Sequence, residues 1–257
     1  RGVCHYQMGD LRAAAADWEQ GIQAGRRLRN LVREPGLRLN LAVVYMTLGE
    51  WPKAIESYAE AAELARQWGN LNIQTLVHLN SGILYTKQGQ QALAESHLNR
   101  ALDMARQHNL DEWEGHALFS LADLRLRQER LDEAVALLAE AGGMLAGSQH
   151  DYQKPELLRL QALASLAAGD LPQAQAQAEQ SIALAQAIGM EVDTGVGQRV
   201  LGQALAAAGQ WAEAVAAFQE SLKLLDGKDP YALACTQMEL ARTLETVNAS
   251  GKTEILT

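Results

Sequence analysis

The feature that most constrains the fold of this chain is a repeat with a period of 40 residues. Glycine occupies five positions on one 40-residue grid: Gly9, Gly49, Gly89, Gly169 and Gly209. The remaining grid position is Glu129, and every grid position is followed by a polar or charged residue. Because glycine readily adopts the left-handed backbone that ends many α-helices, each grid position predicts a helix end and a tight turn.

Three further columns of small residues keep the same period. Five residues after each grid position the residue is alanine: Ala14, Ala54, Ala94, Ala134, Ala174 and Ala214. Seven residues before it stands glycine or alanine: Gly2, Ala42, Gly82, Ala122, Ala162 and Gly202. Twelve residues after it the residue is again small: Gly21, Ala61, Ala101, Ala141, Ser181 and Ser221. Three columns that hold in all six repeats are far beyond coincidence.

These columns predict pairs of antiparallel helices that pack closely. Two helices joined by a short turn approach each other closely only where the facing side chains are small, and the larger residues between the columns recur at helical spacings. We expect helix pairs such as 36–48 with 52–68, and 73–88 with 91–108. A final helix at about 231–247 has no partner and is expected to cap the stack.

The same residues resemble the tetratricopeptide repeat. The segment 41–45, together with Gly49, Ala54 and Tyr58, is the copy most similar to the family pattern, and 81–85 with Gly89 is the next. The family's usual period is 34 residues, so the six extra residues here would lengthen each helix by about three residues, nearly one turn. A period of 40 also fits HEAT and armadillo units, but the glycine turns and alanine columns favour the tetratricopeptide interpretation.

The resemblance implies an all-α fold, a right-handed superhelical solenoid of about six helix pairs plus a C-terminal capping helix. We expect a single solenoid domain over residues 1–257, with a possible soft joint at 142–151 where glycine and serine accumulate. Since the repeat phase places Arg1 inside a helix, we interpret the chain as a piece of a longer protein.

The resemblance also implies a binding surface. In the family, the first helix of each pair lines a concave face, which places residues ten, six, three and two before each turn on that face. These predicted inner-face residues are Leu39, Val43, Met46, Leu79, Ile83, Lys87, Phe119, Arg127, Arg159, Leu163, Arg199 and Gln203. The early members are apolar and the later ones include arginines. A protein or peptide with hydrophobic anchors and acidic groups would fit such a surface.

Two alternatives remain open for these residues. Any apolar member, such as Leu39 or Ile83, could be core between adjacent repeats rather than a ligand contact. The arginines could be ordinary solvated surface residues. The local run from Arg26 to Arg38 has the same two interpretations, a patch for an acidic partner or a solvated helix end.

Composition and charge narrow the function classes. A net charge of −9 argues against nucleic acid as the main partner. The two cysteines, Cys4 and Cys235, are at opposite ends of the chain, which favours a reducing, cytoplasmic compartment. No apolar run is long enough to span a membrane. The histidines lack the spacing of a metal site, so we expect no metal, no cofactor and no catalytic residues.

The long repeats are similar to the arms of bacterial signal-transduction ATPases that activate transcription, of the maltose-regulon type. That resemblance implies a sensor or scaffold arm within a larger cytoplasmic protein. The alternatives are a static adaptor that links two proteins and, more remotely, an enzyme whose active site has no recognisable motif. The oligomeric state has no signature in the sequence.

Overall fold

A computed structural model of the chain describes residues 1–146 and 151–249. Within these ranges all regular structure is helical and none is β-strand. The chain forms two compact units, residues 1–124 and the residues from Arg125 onward, and each is described by itself. The predicted soft joint at 142–151 includes residues 147–150, which lie outside the described residues.

The helices follow one another at short, regular intervals. In unit 1 they are α1 (Gly2–Gln7), α2 (Leu11–Arg27), α3 (Glu34–Thr47), α4 (Trp51–Gln67), α5 (Leu71–Lys87), α6 (Gln91–Gln107) and α7 (Asp111–Arg127), whose last residues belong to unit 2. Unit 2 continues with α8 (Leu131–Leu145), a 3-10 turn (Asp151–Gln153), α9 (Lys154–Ala167), α10 (Leu171–Ala187), α11 (Glu191–Ala207), α12 (Trp211–Leu225) and α13 (Pro230–Ala249). Seven of these helices are 17 residues long. The predicted helix pairs are confirmed to within about three residues at each end.

The grid positions are the turns, as predicted. The five grid glycines have φ between 73° and 80°. Glu129 adopts the same conformation with φ 59°, although it has a side chain. In each turn the residue after the grid position donates its backbone N–H to a carbonyl five residues earlier, as Glu50 does to Tyr45 at 2.8 Å. This hydrogen bond defines a Schellman-type helix end.

A second set of turns lies midway between the first set and was not predicted. Gly69 and Gly189 have φ of 64° and 74°, and Arg29 and Asn109 have φ of 54° and 52° at equivalent positions. These turns join the second helix of one pair to the first helix of the next. Only two of the four are glycine, so the period is less visible here in the sequence.

The small-residue columns lie in the helix contacts, as predicted. All six alanines of the column that follows the turn are fully buried. In the column that precedes it, a Cβ added to Gly82 would lie 2.5 Å from Cγ of Leu98 on the next helix. Such a distance is shorter than any real Cβ contact, so the α5–α6 pair depends on the missing side chain.

An ion-pair cluster joins α2, α3 and α4 and involves part of the arginine run. Glu34 is buried and accepts hydrogen bonds from Arg26 Nη2 at 2.7 Å and Arg38 Nε at 3.0 Å. Arg38 is also buried and pairs with Glu60. Burial alone would raise the pKa of the Glu34 carboxyl, but the hydrogen bonds from the two arginines outweigh it and hold that pKa below its usual value. Arg26 and Arg38 therefore take part in packing, which neither interpretation of the run anticipated.

Candidate functional site

The predicted inner-face residues of unit 1 divide into buried and partly exposed groups. The four buried members are Leu39, Met46, Leu79 and Phe119. Leu39 and Met46 belong to one core cluster with Val77 and Leu84 of the next pair. For these four, burial fits the alternative that they are core between adjacent repeats.

The other members in unit 1 are partly exposed. Val43 and Ile83 lie six residues before their turns and border the core cluster, and Lys87 is the last residue of α5. This leaves a mostly apolar surface with one positive charge on the first helices of these pairs.

In unit 2 the same columns have a different chemistry. Arg159 and Arg199 stand ten residues before their turns, where unit 1 places buried Leu39 and Leu79. They lie on α9 and α11, which contact each other directly. The Arg159 side chain is only 16 % exposed, and its Nη2 lies 3.5 Å from the Glu156 carboxylate. Two guanidinium groups thus occupy a column that unit 1 fills with buried apolar side chains.

Polar and apolar inner-face residues adjoin these arginines. Leu163 and Gln203 are partly buried on the same two helices, one turn beyond Arg159 and Arg199. The Oε1 atom of Gln203 is buried and accepts no hydrogen bond from the described residues. Because a buried amide oxygen without a donor is energetically costly, this position favours a ligand that supplies one.

Arg127 is exposed at the end of α7 and contacts α13. It shares a hydrogen-bonded group with Tyr231 and Cys235. Burial raises the pKa of the Tyr231 phenol above its ordinary value, with the Cys235 thiol acting in the same direction and Arg127 against it. The sequence contained no signal for this contact, because its members are about one hundred residues apart.

A cavity in unit 1 was not predicted. It has a volume of about 140 Å³ and lies between α4, α5 and α6. Its lining is largely apolar and includes Ile55 and Ala59 of α4 and Val77 and Leu84 of α5. His78, Tyr85 and His97 add polar groups on the α5 and α6 side. The two histidine rings meet at Nδ1–Nδ1 3.2 Å, and the Tyr85 ring lies 5.3 Å from that of His97.

Burial favours the neutral form of both imidazoles. Burial lowers the pKa of His78 to about 4, and the neighbouring His97 and Arg100 act in the same direction. Burial also lowers the pKa of His97. The sequence analysis found no metal-site spacing among the histidines and assigned no site to these two. His78 lies eleven residues before the Gly89 turn and His97 eight residues after it. This similar distance from one turn was the only sequence signal that the two side chains meet across the helix pair.

Unit 2 has a cavity at the equivalent place, two repeats later. It measures about 270 Å³, and Val135 and Ala139 take the places of Ile55 and Ala59. Ser165 and Gln177 stand where unit 1 has Tyr85 and His97, and the Ser165 hydroxyl donates to Gln177 Oε1 at 2.8 Å. The repeat therefore builds the same cavity twice, and only unit 1 lines it with histidine.

Neither a membrane span nor a larger metal cluster is found in the part of the chain that the structure describes. No helix in 1–146 or 151–249 combines the length and hydrophobicity that crossing a bilayer requires. In the same residues, no three histidine, cysteine, aspartate or glutamate side chains come together in a group that could hold a metal ion.

Comparisons with known proteins agree with this architecture. Residues 34–107, which are α3 to α6, match the tetratricopeptide repeat family model. They include the two copies that the sequence analysis found most similar to the family pattern. A search of the curated proteins finds no significant match.

Three solved structures are similar in fold. BtubC (BKLC) from P. vanneervenii is 20 % identical, with a TM-score of 0.62 over 83 % of this chain and 90 % of that one. A tetratricopeptide repeat protein from Parabacteroides merdae is 16 % identical, with a TM-score of 0.55 over 99 % and 94 %. The apo form of RapI is 10 % identical, with a TM-score of 0.57 over 99 % and 72 %. The chain therefore has a tetratricopeptide-repeat fold, and the family match itself covers residues 34–107.

Proposed function

We propose that this chain is a protein- or peptide-binding module and that unit 2 recognises acidic groups of its partner. The observation that carries this proposal is the pair Arg159 and Arg199. Both arginines occupy a column that unit 1 fills with the buried apolar residues Leu39, Leu79 and Phe119. A guanidinium in such a position costs desolvation free energy. Glu156 lies beside Arg159, and a carboxylate ligand would offset more of that cost through paired hydrogen bonds.

The residues beside the two arginines extend this recognition surface within unit 2. Gln203 offers a buried acceptor without a donor, and Leu163 offers an apolar contact one helical turn from Arg159. In unit 1 the partly exposed Val43 and Ile83 would contact hydrophobic anchors, and Lys87 would contact a negative charge. The proposed partner is a polypeptide segment that carries both apolar and acidic side chains.

The experiment is a peptide-array screen with the purified chain. The array carries 12-residue peptides in which leucine or phenylalanine is combined with aspartate or glutamate, beside matched peptides with asparagine and glutamine. We expect the wild type to bind acidic peptides and the double variant Arg159→Gln/Arg199→Gln to lose at least tenfold in affinity for them.

The matched control is Arg66→Gln/Arg242→Gln, which removes the same charge from two exposed arginines outside the inner face. It should retain the wild-type affinity. Equal losses in both double variants would mean that binding follows net charge alone and would refute the assigned site. Phe119 is unsuitable for this test because it is fully buried, so its replacement by alanine would lower stability as well as affinity.

For the biological role we infer a sensor or scaffold arm of a larger signalling or transcription-regulating protein, in the cytoplasm of a bacterium. The support is the resemblance of the 40-residue repeats to the arms of signal-transduction ATPases. The alternative is an adaptor that links two proteins. The sequence of the full-length gene separates them, since a sensor requires a nucleotide-binding or DNA-binding domain and an adaptor requires repeats alone.

We do not assign catalysis to the chain. An enzyme would need polar groups with shifted pKa values in a pocket, and the histidine cavity of unit 1 has two such groups. Among the described residues, however, its lining contains no carboxylate to orient an imidazole, and His78 and His97 direct Nδ1 atoms at each other.

A further inference from the structure

The histidine cavity of unit 1 has the geometry of a small ligand site of a different kind. His78 lies on α5 and His97 on α6, and their Nδ1 atoms are 3.2 Å apart. Two nitrogens that bind one tetrahedral Zn²⁺ at about 2.0–2.1 Å are about 3.3–3.4 Å from each other. The observed separation is therefore within about 0.2 Å of the one that binding of both nitrogens to one ion requires.

We propose that His78 and His97 bind one divalent late transition-metal ion, of which Zn²⁺ is the representative, and that the ion cross-links α5 to α6. The chemistry of the pair determines the class of metal. Imidazole nitrogen suits Zn²⁺, Cu²⁺ and Ni²⁺, whereas Mg²⁺ and Ca²⁺ require oxygen ligands that this lining does not supply in carboxylate form.

The surroundings leave space for the rest of the coordination shell. The cavity of about 140 Å³ beside the rings has room for about four water molecules, each about 30 Å³. No third protein ligand of the usual kind converges here within the described residues. Two imidazoles and water molecules would thus hold the ion, in the manner of an open site rather than a closed structural one.

The nearby charges limit the affinity. Arg100 is close enough to disfavour positive charge on His78. With two neutral protein ligands and an adjacent guanidinium, we expect a dissociation constant in the micromolar range. The equivalent cavity of unit 2 has Gln177 in place of His97, and the repeat position of His78 is Leu158 there. It therefore provides an internal comparison that should not bind zinc.

The first experiment is a titration of the metal-free chain with ZnCl₂. Competition with a chromophoric indicator measures the affinity for zinc, and thermal unfolding measures the change in Tm. We expect one equivalent of zinc to bind with micromolar affinity. At about 100 µM ZnCl₂ the Tm should rise by about 2–4 °C, and the same concentration of MgCl₂ should leave it unchanged. His78→Gln and His97→Gln should each abolish both effects.

The control variant is His108→Gln, which removes a histidine at the end of α6 that is not part of the pair. It should bind zinc as the wild type does. If His78→Gln and His97→Gln retain the wild-type response, the zinc is bound elsewhere and the proposal is wrong. If the wild type shows no saturable binding, the two rings form a hydrogen-bonded pair only and the proposal is equally wrong.

A second measurement does not depend on any variant folding. Long-range ¹H–¹⁵N spectra of the wild type report each imidazole nitrogen separately. Addition of zinc should shift the Nδ1 resonances of His78 and His97 together. A shift confined to other histidines would identify an adventitious ion only and would overturn the assignment.

Discussion

A Cβ placed on Gly202 would lie 2.7 Å from Cε1 of Phe218, so the aromatic ring occupies the space that any larger residue at position 202 would need. Gly202 is on α11 and Phe218 on α12, the two helices of one pair. The same relationship joins Gly82 to Leu98 and Gly2 to Trp18 in unit 1. In these three repeats the residue seven positions before a turn therefore packs against the residue nine positions after the same turn.

This contact predicts that Gly202→Ala destabilises the protein. Overpacking costs about 1–3 kcal/mol, and the better helix propensity of alanine offsets up to about 1 kcal/mol of it. We expect a net loss of about 1–2 kcal/mol in the free energy of unfolding, measured by urea denaturation. Phe218→Leu in the same chain should restore part of that loss, because it shortens the opposing side chain.

The control for this substitution is Gly143→Ala in α8. Apart from its chain neighbours and its own helix backbone, no described residue places an atom within 4 Å of a Cβ at that position, and the backbone there is helical. The same substitution should stabilise the chain by about 0.5–1 kcal/mol, since glycine is a poor helix former. A similar loss at both positions would show that the contact with Phe218 is not the cause.

Glu129 predicts a stabilising substitution. It adopts φ 59° at a turn where the five other grid positions are glycine. Glu129→Gly should raise the free energy of unfolding by about 0.5–1 kcal/mol, because glycine has no Cβ to strain the left-handed conformation. The reciprocal change, Gly209→Ala at φ 76°, should lower it by about 1 kcal/mol. Thermal and urea unfolding of both variants check the signs, and a gain from Gly209→Ala would contradict the argument.

The Glu34 cluster predicts a dependence of stability on pH. The folded-state pKa of Glu34 is lowered, so its contribution is present above the unfolded pKa of about 4.3 and is lost as pH falls through the folded value. Glu34→Gln should cost about 2 kcal/mol at pH 7 because Arg26 and Arg38 lose the negative charge that they share.

The measurement is urea unfolding of wild type and Glu34→Gln from pH 7 to pH 3. The difference between them should shrink as the pH drops below about 4. Glu63→Gln serves as the control, since Glu63 pairs with Arg66 on the exposed face of α4 and should change stability little. A difference that stays constant over the whole range would mean that the charge of Glu34 is not what stabilises the cluster.

Substitution of Arg159 is expected to affect peptide affinity and the free energy of unfolding differently. The equivalent residues of unit 1 are buried and apolar, two leucines and one phenylalanine, so Arg159→Leu should leave the free energy of unfolding unchanged or raise it by about 1 kcal/mol. The same variant should lose affinity for acidic peptides. Urea unfolding and peptide titration on one preparation test both halves, and a loss of more than about 1 kcal/mol in stability would assign Arg159 a packing role instead.

The sequence was sufficient to predict those features whose structural requirements act on residues close together in the chain. A left-handed turn favours glycine, and a close helix contact favours glycine or alanine, so both leave a repeated mark at fixed spacing. The turns at Gly49 and Gly89 and the helices around them could be predicted for that reason. The turn at Glu129 was found only because it lies on the grid.

The predicted inner face shows where such reasoning stops. Leu39 and Val43 are one helical turn apart and both apolar, yet the first is buried and the second partly exposed. Which one is buried depends on the side chains that the next helix pair places against it, here Val77 and Leu84. The family pattern assigns a position to the inner face from its spacing to the turn alone. It therefore contains no information about the side chains of the next helix pair.

By itself, the sequence determined the period, the turns, the helix pairs and the small residues at their contacts, because each depends on residues close together in the chain. Only the tertiary structure decided that His78 meets His97, that Arg38 is buried beside Glu34, and that Arg159 lies beside the helix of Arg199 in a column that unit 1 fills with apolar residues. Those outcomes depend on the side chains that distant helices bring to the same place. Burial, charge pairing and cavity volume therefore depend on how neighbouring helices pack, and the sequence of a single repeat does not determine them.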